Sequence, residues 1–202
     1  MGARVINLVS VARVGHVYGV PDPEVAHARP GRLDRPSRLA LAAAQRVFAE
    51  PIAERPRLGI WVVSQYGAFA ANADHWQGFL ARGIAGVSPL VFPATVPSAA
   101  AAEIAIATGA MGPNVTLCGG PSAAAALLSL AAAALHDGSC DEALVCAVDG
   151  FHPRLAALGL AEASIDAAVV ARIVRGGSPI GAAHGATTVG AFEHAVTTSG
   201  GR

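Results

Sequence analysis

Apolar residues along this chain cluster in short continuous runs, which are separated by longer stretches rich in alanine. Runs of strand length cover residues 5–11, 58–64, 115–118, 142–148 and 167–174. Runs of this length without polar alternation are typical of strands that are buried on both faces of a sheet. The pattern therefore predicts five buried strands.

The stretch that follows residue 33 has the signals of a helix start. Asp34 offers a side-chain acceptor, and Pro36 lies in the first turn, where its missing N–H has no intrahelical partner. Apolar residues then recur at helical spacing as far as Pro51, which a helix interior does not accept. We predict a helix over residues 34–50.

Three further stretches also have helical character. They cover residues 67–83, 98–109 and 121–136. In the first of these, Trp76, Phe79 and Leu80 are spaced to share one face, which we expect to point into the protein. Prolines interrupt residues 87–97 and favour an extended segment there.

Strands that alternate with helices are typical of an α/β fold, in which helices cover both faces of a sheet. We predict an αβα-layered domain over residues 1–175, with a mainly parallel sheet of five strands. Residues 176–202 are rich in Gly, Ser and Thr, and we expect most of this segment to be a mobile C-terminal tail.

Composition narrows the classes of function. Hydrophobic residues make up 53% of the chain and charged residues 14%, with a net charge of zero. This balance favours neither nucleic acid nor an anionic membrane surface, and the apolar surplus suits a subunit that buries surface against a partner. No apolar run reaches the ~18 residues of a membrane span, and the N-terminus lacks a signal-peptide pattern. The three cysteines lack metal spacing, and we expect no metal or cofactor. Their odd number, without an export signal, predicts reduced thiols and a cytoplasmic location.

The candidate chemistry lies at residues 112–122, GPNVTLCGGPS, which predict a strand end, a tight glycine turn and a helix start. Proline is an ordinary residue for a first helical turn, so Pro121 has a purely structural interpretation. Cys118 is either a nucleophile or a buried cysteine that packs as a small hydrophobe. Cys146 is expected in the core, and Cys140 is expected to be partly exposed.

Four segments, in order, resemble the N-terminal half of the β-ketoacyl synthases, which have the thiolase fold. They are residues 33–45, 87–114, 115–122 and 129–149. The resemblance covers about residues 1–175 and implies one half of a thiolase-like fold. It needs no gap between Gly112 and Asp149, so it aligns Pro121 with the nucleophilic cysteine of the family.

The resemblance implies a catalytic fold whose chemistry has been lost. In the family, the nucleophile is a thiol at a helix N-terminus, and its own N–H helps to hold the oxyanion. Pro121 supplies neither group. The two catalytic histidines of the family lie in its C-terminal half, which a chain of 202 residues is expected to be too short to contain. His184 lies in AHGATTVG, which resembles a His-Gly-Thr turn, but we do not expect it to be catalytic.

We therefore expect a truncated, non-catalytic subunit similar to the chain length factors of polyketide and fatty-acyl-type biosynthesis. The expected partner is an active β-ketoacyl synthase, and an acyl carrier protein is a second candidate partner. In the family this half forms the dimer interface, so the chain would help to shape the acyl tunnel. Candidates for the tunnel end are Leu90, Val91, Phe92 and Val96, which alternatively fill the chain's own core.

Two other functions are compatible with the residues. One is an acyltransferase or condensing enzyme that uses Cys118 together with histidines supplied by a partner. The other is a homodimeric acyl-binding or scaffold module, because an apolar half-fold could bury its exposed face against a second copy.

Overall fold

The structure is a computed structural model that describes residues 5–16, 22–48, 54–160, 166–176, 178–179 and 188–199. The strands are β1 Val5–His16, β2 Leu58–Ser64, β3 Asn114–Cys118, β4 Glu142–Asp149, β5 Asp166–Arg175 and β6 Ser178–Pro179. The α-helices are α1 Arg35–Val47, α2 Phe69–Arg82, α3 Ala99–Thr108, α4 Pro121–Asp137, α5 Pro153–Ala157 and α6 Thr188–Ser199. Short 3-10 helices cover Pro30–Arg32, Gly83–Gly86 and Phe92–Thr95.

The predicted α/β class is confirmed. Among the described residues the sheet contains the five predicted strands and the two-residue strand β6, and it is mixed rather than mainly parallel. Its strand order is β3-β2-β4-β5-β1-β6. Strand β2 pairs in parallel with β3 and β4, whereas β5 is antiparallel to both β4 and β1, and β6 is antiparallel to β1. The only helix described between β4 and β5 is α5, which has five residues and is about 8 Å long. A strand parallel to β4 would need a connection that returns the chain along the whole of β4, which is about 26 Å long. Helix α5 is too short for this, and β5 runs antiparallel.

Two hydrophobic clusters form on opposite faces of the sheet and make the layered architecture. Along β2, Trp61 and Val63 point into the cluster that contains α4 and α6. Ile60 and Val62 point into the other cluster, which contains α1 and α3. Successive side chains of a strand face opposite ways, so a strand that is apolar at every position serves both clusters. Each large side chain buried in this way contributes about 1.5–3 kcal/mol to folding.

Helix α1 begins as the sequence predicts and ends earlier than expected. The side chain of Asp34 accepts a hydrogen bond from the backbone N–H of Ser37 at 3.1 Å, which satisfies one free donor of the first turn. The helix ends at Val47, and Phe48 already has extended backbone angles with its side chain in the core. Because α1 ends at Val47, the predicted end at residue 50 was wrong.

Helix α6 lies within the segment that we predicted as a mobile tail, and for residues Thr188–Ser199 that prediction was wrong. Val189, Phe192, Ala195 and Val196 are buried in the same cluster as α4. Their spacing is that of one helical face, although Gly, Ser and Thr around them resemble a linker composition. The division of the chain at residue 175 stays a prediction.

The segment from α2 to α3 departs most from the sequence-based expectation. The predicted inward face of α2 is wrong, because Trp76, Phe79 and Leu80 are all exposed. Residues 87–97 form turns and a 3-10 helix rather than an extended segment. Strand β3 lies at the sheet edge and is only partly covered, although we predicted it to be buried.

None of the helices in the described ranges is long and apolar enough to cross a bilayer. The cytoplasmic location inferred from the sequence stays a prediction.

Candidate functional site

The turn between β3 and α4 has the predicted conformation. Strand β3 ends at Cys118, and the N–H of Gly119 donates to the carbonyl oxygen of Ser64 on β2 at 3.0 Å. Gly120 precedes the helix with an extended backbone, and Pro121 is its first residue. No side chain caps this helix end, and proline contributes no N–H to it. The position that the resemblance aligns with the nucleophile therefore offers neither a thiol nor a donor.

A buried carboxylate holds the adjacent loop. Asp149, at the end of β4, is 1% exposed. Its Oδ1 atom accepts hydrogen bonds from Ser64 Oγ at 2.8 Å and from the backbone N–H groups of Gln65 at 2.8 Å and Tyr66 at 3.1 Å. Ser64 Oγ accepts in turn from the N–H of Gly67 at 2.8 Å, where a φ of +54° favours glycine. Asp149 therefore fixes the conformation of residues 64–67, from the end of β2 into the loop that precedes α2.

The second carboxylate oxygen of Asp149 is buried and has no hydrogen-bond partner among the described residues. Burial raises the pKa of Asp149 to about 6, and the bonds from Ser64, Tyr66 and Gln65 offset only part of this increase. The sequence-based predictions did not include this residue. An acidic residue directly after the apolar run 142–148 was the available signal, because a charge at the end of a buried strand requires partners.

Helix α6 reaches the turn from the far end of the chain. The Oγ1 atom of Thr188 donates to the carbonyl oxygen of Gly119 at 2.9 Å and lies 3.3 Å from Oε1 of Gln65. Thr188 is fully buried. No local sequence pattern points to this contact, because the two elements that meet are 69 residues apart. His184, which lies shortly before α6, is outside the described residues.

Cys118 is exposed, so the expectation of a buried side chain was wrong. Its sulfur nevertheless lies close to the backbone of Gly67, where an added Cβ atom would be 3.2 Å away. Partial burial, and secondarily the charge of Asp149, raise the pKa of the Cys118 thiol above its ordinary value. A raised pKa reduces the thiolate fraction, and thiolate is the nucleophilic form.

The other two cysteines are structural. Cys146 is fully buried on β4, as predicted. Cys140 is also fully buried, so the expectation of partial exposure was wrong. It follows Gly138, which ends α4 with a φ of +81°, and the chain then turns inward to start β4.

The four candidate tunnel residues are exposed. Leu90 is 60% and Phe92 62% exposed, and Val91 and Val96 are exposed as well. Leu90 and Val91 line a cavity of about 320 Å³ beside Ala94 of the Phe92–Thr95 turn. Such exposure does not fit the interpretation in which these residues fill the chain's own core. Their role at a tunnel end stays a prediction.

The polar network around the turn contains few groups that could take part in catalysis. Within the described part of the chain it consists of Ser64, Gln65, Asp149 and Thr188, with the backbone of Gly119, and it includes no imidazole. The described residues also contain no group of three His, Cys, Asp or Glu side chains that could hold a metal ion. The arrangement can order a turn and a loop. Its hydroxyl–carboxylate pair, Ser64 with Asp149, is buried and holds that loop.

Comparison with known families matches residues 15–168 to the family described as Beta-ketoacyl synthase, N-terminal domain. The match spans about three quarters of the chain. No match was found among curated protein sequences.

Solved structures show the same fold. The ishigamide ketosynthase/chain length factor matches with a TM-score of 0.66 and 22% identity, over 79% of this chain and 49% of that one. The ketosynthase ApeO in complex with its chain length factor ApeC, from Xenorhabdus doucetiae, matches with a TM-score of 0.74 and 13% identity, over 98% and 92%. A type II polyketide synthase acyl carrier protein in complex with its ketosynthase, AntDE:AntF, matches with a TM-score of 0.71 and 15% identity, over 84% and 62%.

The chain spans about half the length of the first of these matches and is close in length to the matched chain of the second. At these identities the common property is the fold.

Proposed function

Because the chain belongs to the β-ketoacyl synthase family through its N-terminal domain, we propose that it is a non-catalytic subunit of the chain-length-factor type. It pairs with an active ketosynthase in polyketide or fatty-acyl-type biosynthesis and helps to shape the acyl tunnel. An acyl carrier protein is a further candidate partner of the pair. The observation that carries the proposal is Pro121 at the first position of α4.

Two features of the turn support a role without catalysis. Pro121 removes the thiol and one backbone donor from the place where an acyl thioester would react in the family. Cys118, the nearest alternative nucleophile, has a raised pKa because of partial burial and the carboxylate of Asp149. The described hydrogen-bond network of the turn includes no imidazole, and its carboxylate, Asp149, accepts from Ser64 and from the N–H groups of Gln65 and Tyr66.

The exposed surfaces support a role in pairing. Strand β3 is at the edge of the sheet, and among the described residues its backbone pairs with β2 on one side and with no strand on the other. Such an edge readily accepts a strand from another chain. Leu90, Val91, Phe92 and Val96 project from the segment before α3, where they can extend into a partner's cavity. In this proposal they close the far end of the acyl tunnel.

The test is co-expression with a candidate partner ketosynthase from the same organism, followed by size-exclusion chromatography and a condensation assay. We expect one heteromeric peak and a change in product length or yield when this chain is left out. Separate elution, together with unchanged activity in its absence, would contradict the proposal.

One observation favours a second candidate, an acyltransferase or condensing activity at Cys118. The thiol is exposed and lies next to the turn that carries the family's chemistry. This activity predicts a covalent adduct with an acyl thioester or a cerulenin-like electrophile, visible as an intact-mass shift that Cys118→Ala abolishes. An unmodified mass after incubation in the presence of the ketosynthase would exclude it.

A further inference from the structure

Helix α2 exposes the side chains that an amphipathic helix normally buries. Of its 14 residues only Ala71 is buried. Trp76 is 57% exposed and Leu80 78% exposed, and Ile84, in the 3-10 turn that follows, is 87% exposed. Residues four apart share one face of a helix, so Trp76 and Leu80 form an exposed stripe on α2, and Ile84 is exposed just beyond the helix end at Arg82.

The stripe continues onto neighbouring elements. The ring of Phe79 packs edge-on against Trp76 at a centroid distance of 5.6 Å. Trp76 and Leu158, which follows α5, line a groove of about 520 Å³, and Arg154 is the only charged residue among the described residues that line it. We call these side chains, together with Phe92, the arm patch; its members are Trp76, Phe79, Leu80, Ile84, Phe92 and Leu158.

The arm patch exposes more apolar area than the surface of a monomeric protein usually does. At roughly 200 Å² per large side chain, six residues with this exposure leave on the order of 700 Å² of apolar area in water. The largest apolar patch of a typical monomer is about 300–600 Å². One side of a stable protein interface is about 800 Å². The arm patch therefore has the size of one half of an interface.

The composition of the surface identifies a protein as the occupant. The rings of Trp76 and Phe79 are in contact, Asp74 and Arg82 are exposed charges on the same helix, and Arg154 lies beside the groove. An apolar centre with a polar rim is the usual anatomy of a protein–protein interface. A groove beside a large exposed aromatic residue is also typical of a site where a few side chains carry most of the binding energy.

The arm patch shares Phe92 with the segment proposed above to reach the ketosynthase, and the ring of His75 lies between Phe92 and Trp76, 6.5 Å from the Trp76 ring. The ring of His75 on α2 lies 6.0 Å from the ring of Phe92, which belongs to that segment. We propose that α2 and the groove at Trp76 dock the ketosynthase subunit, with an aromatic or long aliphatic side chain of that subunit seated in the groove. The inference rests on the proposed function and adds a second contact surface to it.

The experiment compares three purified single variants in complex formation with the ketosynthase that binds the wild type in the co-expression test above. Trp76→Ala and Leu80→Ser change exposed side chains of the arm patch, so they should fold like the wild type. Leu130→Ser is the matched control, because Leu130 is an exposed leucine on α4. We expect the first two variants to weaken binding at least tenfold in titration calorimetry, and the control to bind as the wild type does. Amide hydrogen exchange should slow across residues 69–84 in the wild-type complex.

The outcomes distinguish failure of the docking role of α2 from failure of the proposed function. Wild-type binding that Trp76→Ala and Leu80→Ser leave unchanged overturns the docking role of α2, while the proposed function stands. If the wild type ignores the ketosynthase and forms a homodimer that Trp76→Ala dissociates, the occupant is a second copy and both proposals are wrong. A wild-type chain that binds neither also overturns both.

Discussion

Thr188, the first residue of α6, donates a hydrogen bond from Oγ1 to the carbonyl oxygen of Gly119 at 2.9 Å, across 69 residues of sequence. Gly119 belongs to the turn that precedes Pro121, so the last helix of the chain is joined directly to the candidate site. Thr188 is fully buried and Gly119 is partly buried, so an unmade hydrogen bond is costly there.

Replacing the hydroxyl of Thr188 tests this connection. Thr188→Val keeps the shape of the side chain and leaves the Gly119 carbonyl without its partner. We expect the free energy of unfolding to fall by about 1–3 kcal/mol, measured by urea denaturation. Thr197→Val is the matched control, because Thr197 bonds only to carbonyls of its own exposed turn. Equal stability of Thr188→Val and wild type would contradict a structural role for the contact.

The packing of α6 makes a separate prediction. Phe192 is fully buried in the cluster shared with α4. Phe192→Ala should lower the free energy of unfolding by about 3–5 kcal/mol, since a large cavity is left in the core. Leu130→Ala, at an exposed position of α4, should stay within about 0.5 kcal/mol of wild type. If Phe192→Ala has as small an effect as Leu130→Ala, α6 does not belong to the core.

The buried carboxylate of Asp149 predicts how stability depends on pH. Its pKa is raised from 3.8 to about 6, so the folded protein disfavours the charged form. This residue therefore adds most to stability below about pH 4, and its contribution is lost as pH rises through about 6. The loss amounts to about 2–3 kcal/mol.

The variant Asp149→Asn should remove that part of the pH dependence between about pH 4 and pH 7, measured by urea denaturation at several pH values. Asp141→Asn is the control, because its exposed carboxylate pairs with Arg57, which lowers the pKa of Asp141. Its contribution has the opposite sign, since it is present above about pH 4 and lost at lower pH. A wild-type profile that Asp149→Asn leaves unchanged would show that Asp149 does not titrate in this range.

Restoring the nucleophile alone should not restore condensation. Pro121→Cys returns a thiol and a backbone N–H to the start of α4, but the described network around the turn includes no imidazole to act with it. We expect no product from this variant alone with an acyl thioester and a malonyl donor. The intact mass should be measured in parallel, so that an acylated but inactive cysteine is recognised. Condensation by the variant by itself would contradict a non-catalytic design.

Several elements followed from local sequence because their causes are local. Strand β2 has the predicted bounds, because a strand that is apolar on both faces is stable only when hydrophobic layers cover both of them. The turn at Gly119 and the start of α4 at Pro121 were predicted from glycine and proline, whose backbone preferences act within a few residues.

Other features depended on contacts between distant segments. The strand candidate at residues 167–174 was correct, but nothing in it specified that β5 would run antiparallel to β4 and β1. The periodicity of α2 identified an apolar face and not its direction, because the same face can meet the chain's own core or a partner.

The sequence by itself determined the layered class, the family resemblance and the proline at the nucleophile position, because each of these depends on residues that are close together in the sequence. Only the tertiary structure brought Asp149 beneath the loop at residues 64–67 and Thr188 against Gly119. Thr188 bonds to a backbone carbonyl and Asp149 accepts from the backbone N–H groups of Gln65 and Tyr66. Every residue has such backbone groups, so the sequence does not show which of them will be bonded. The pairing of polar groups in the interior is therefore decided by the fold as a whole.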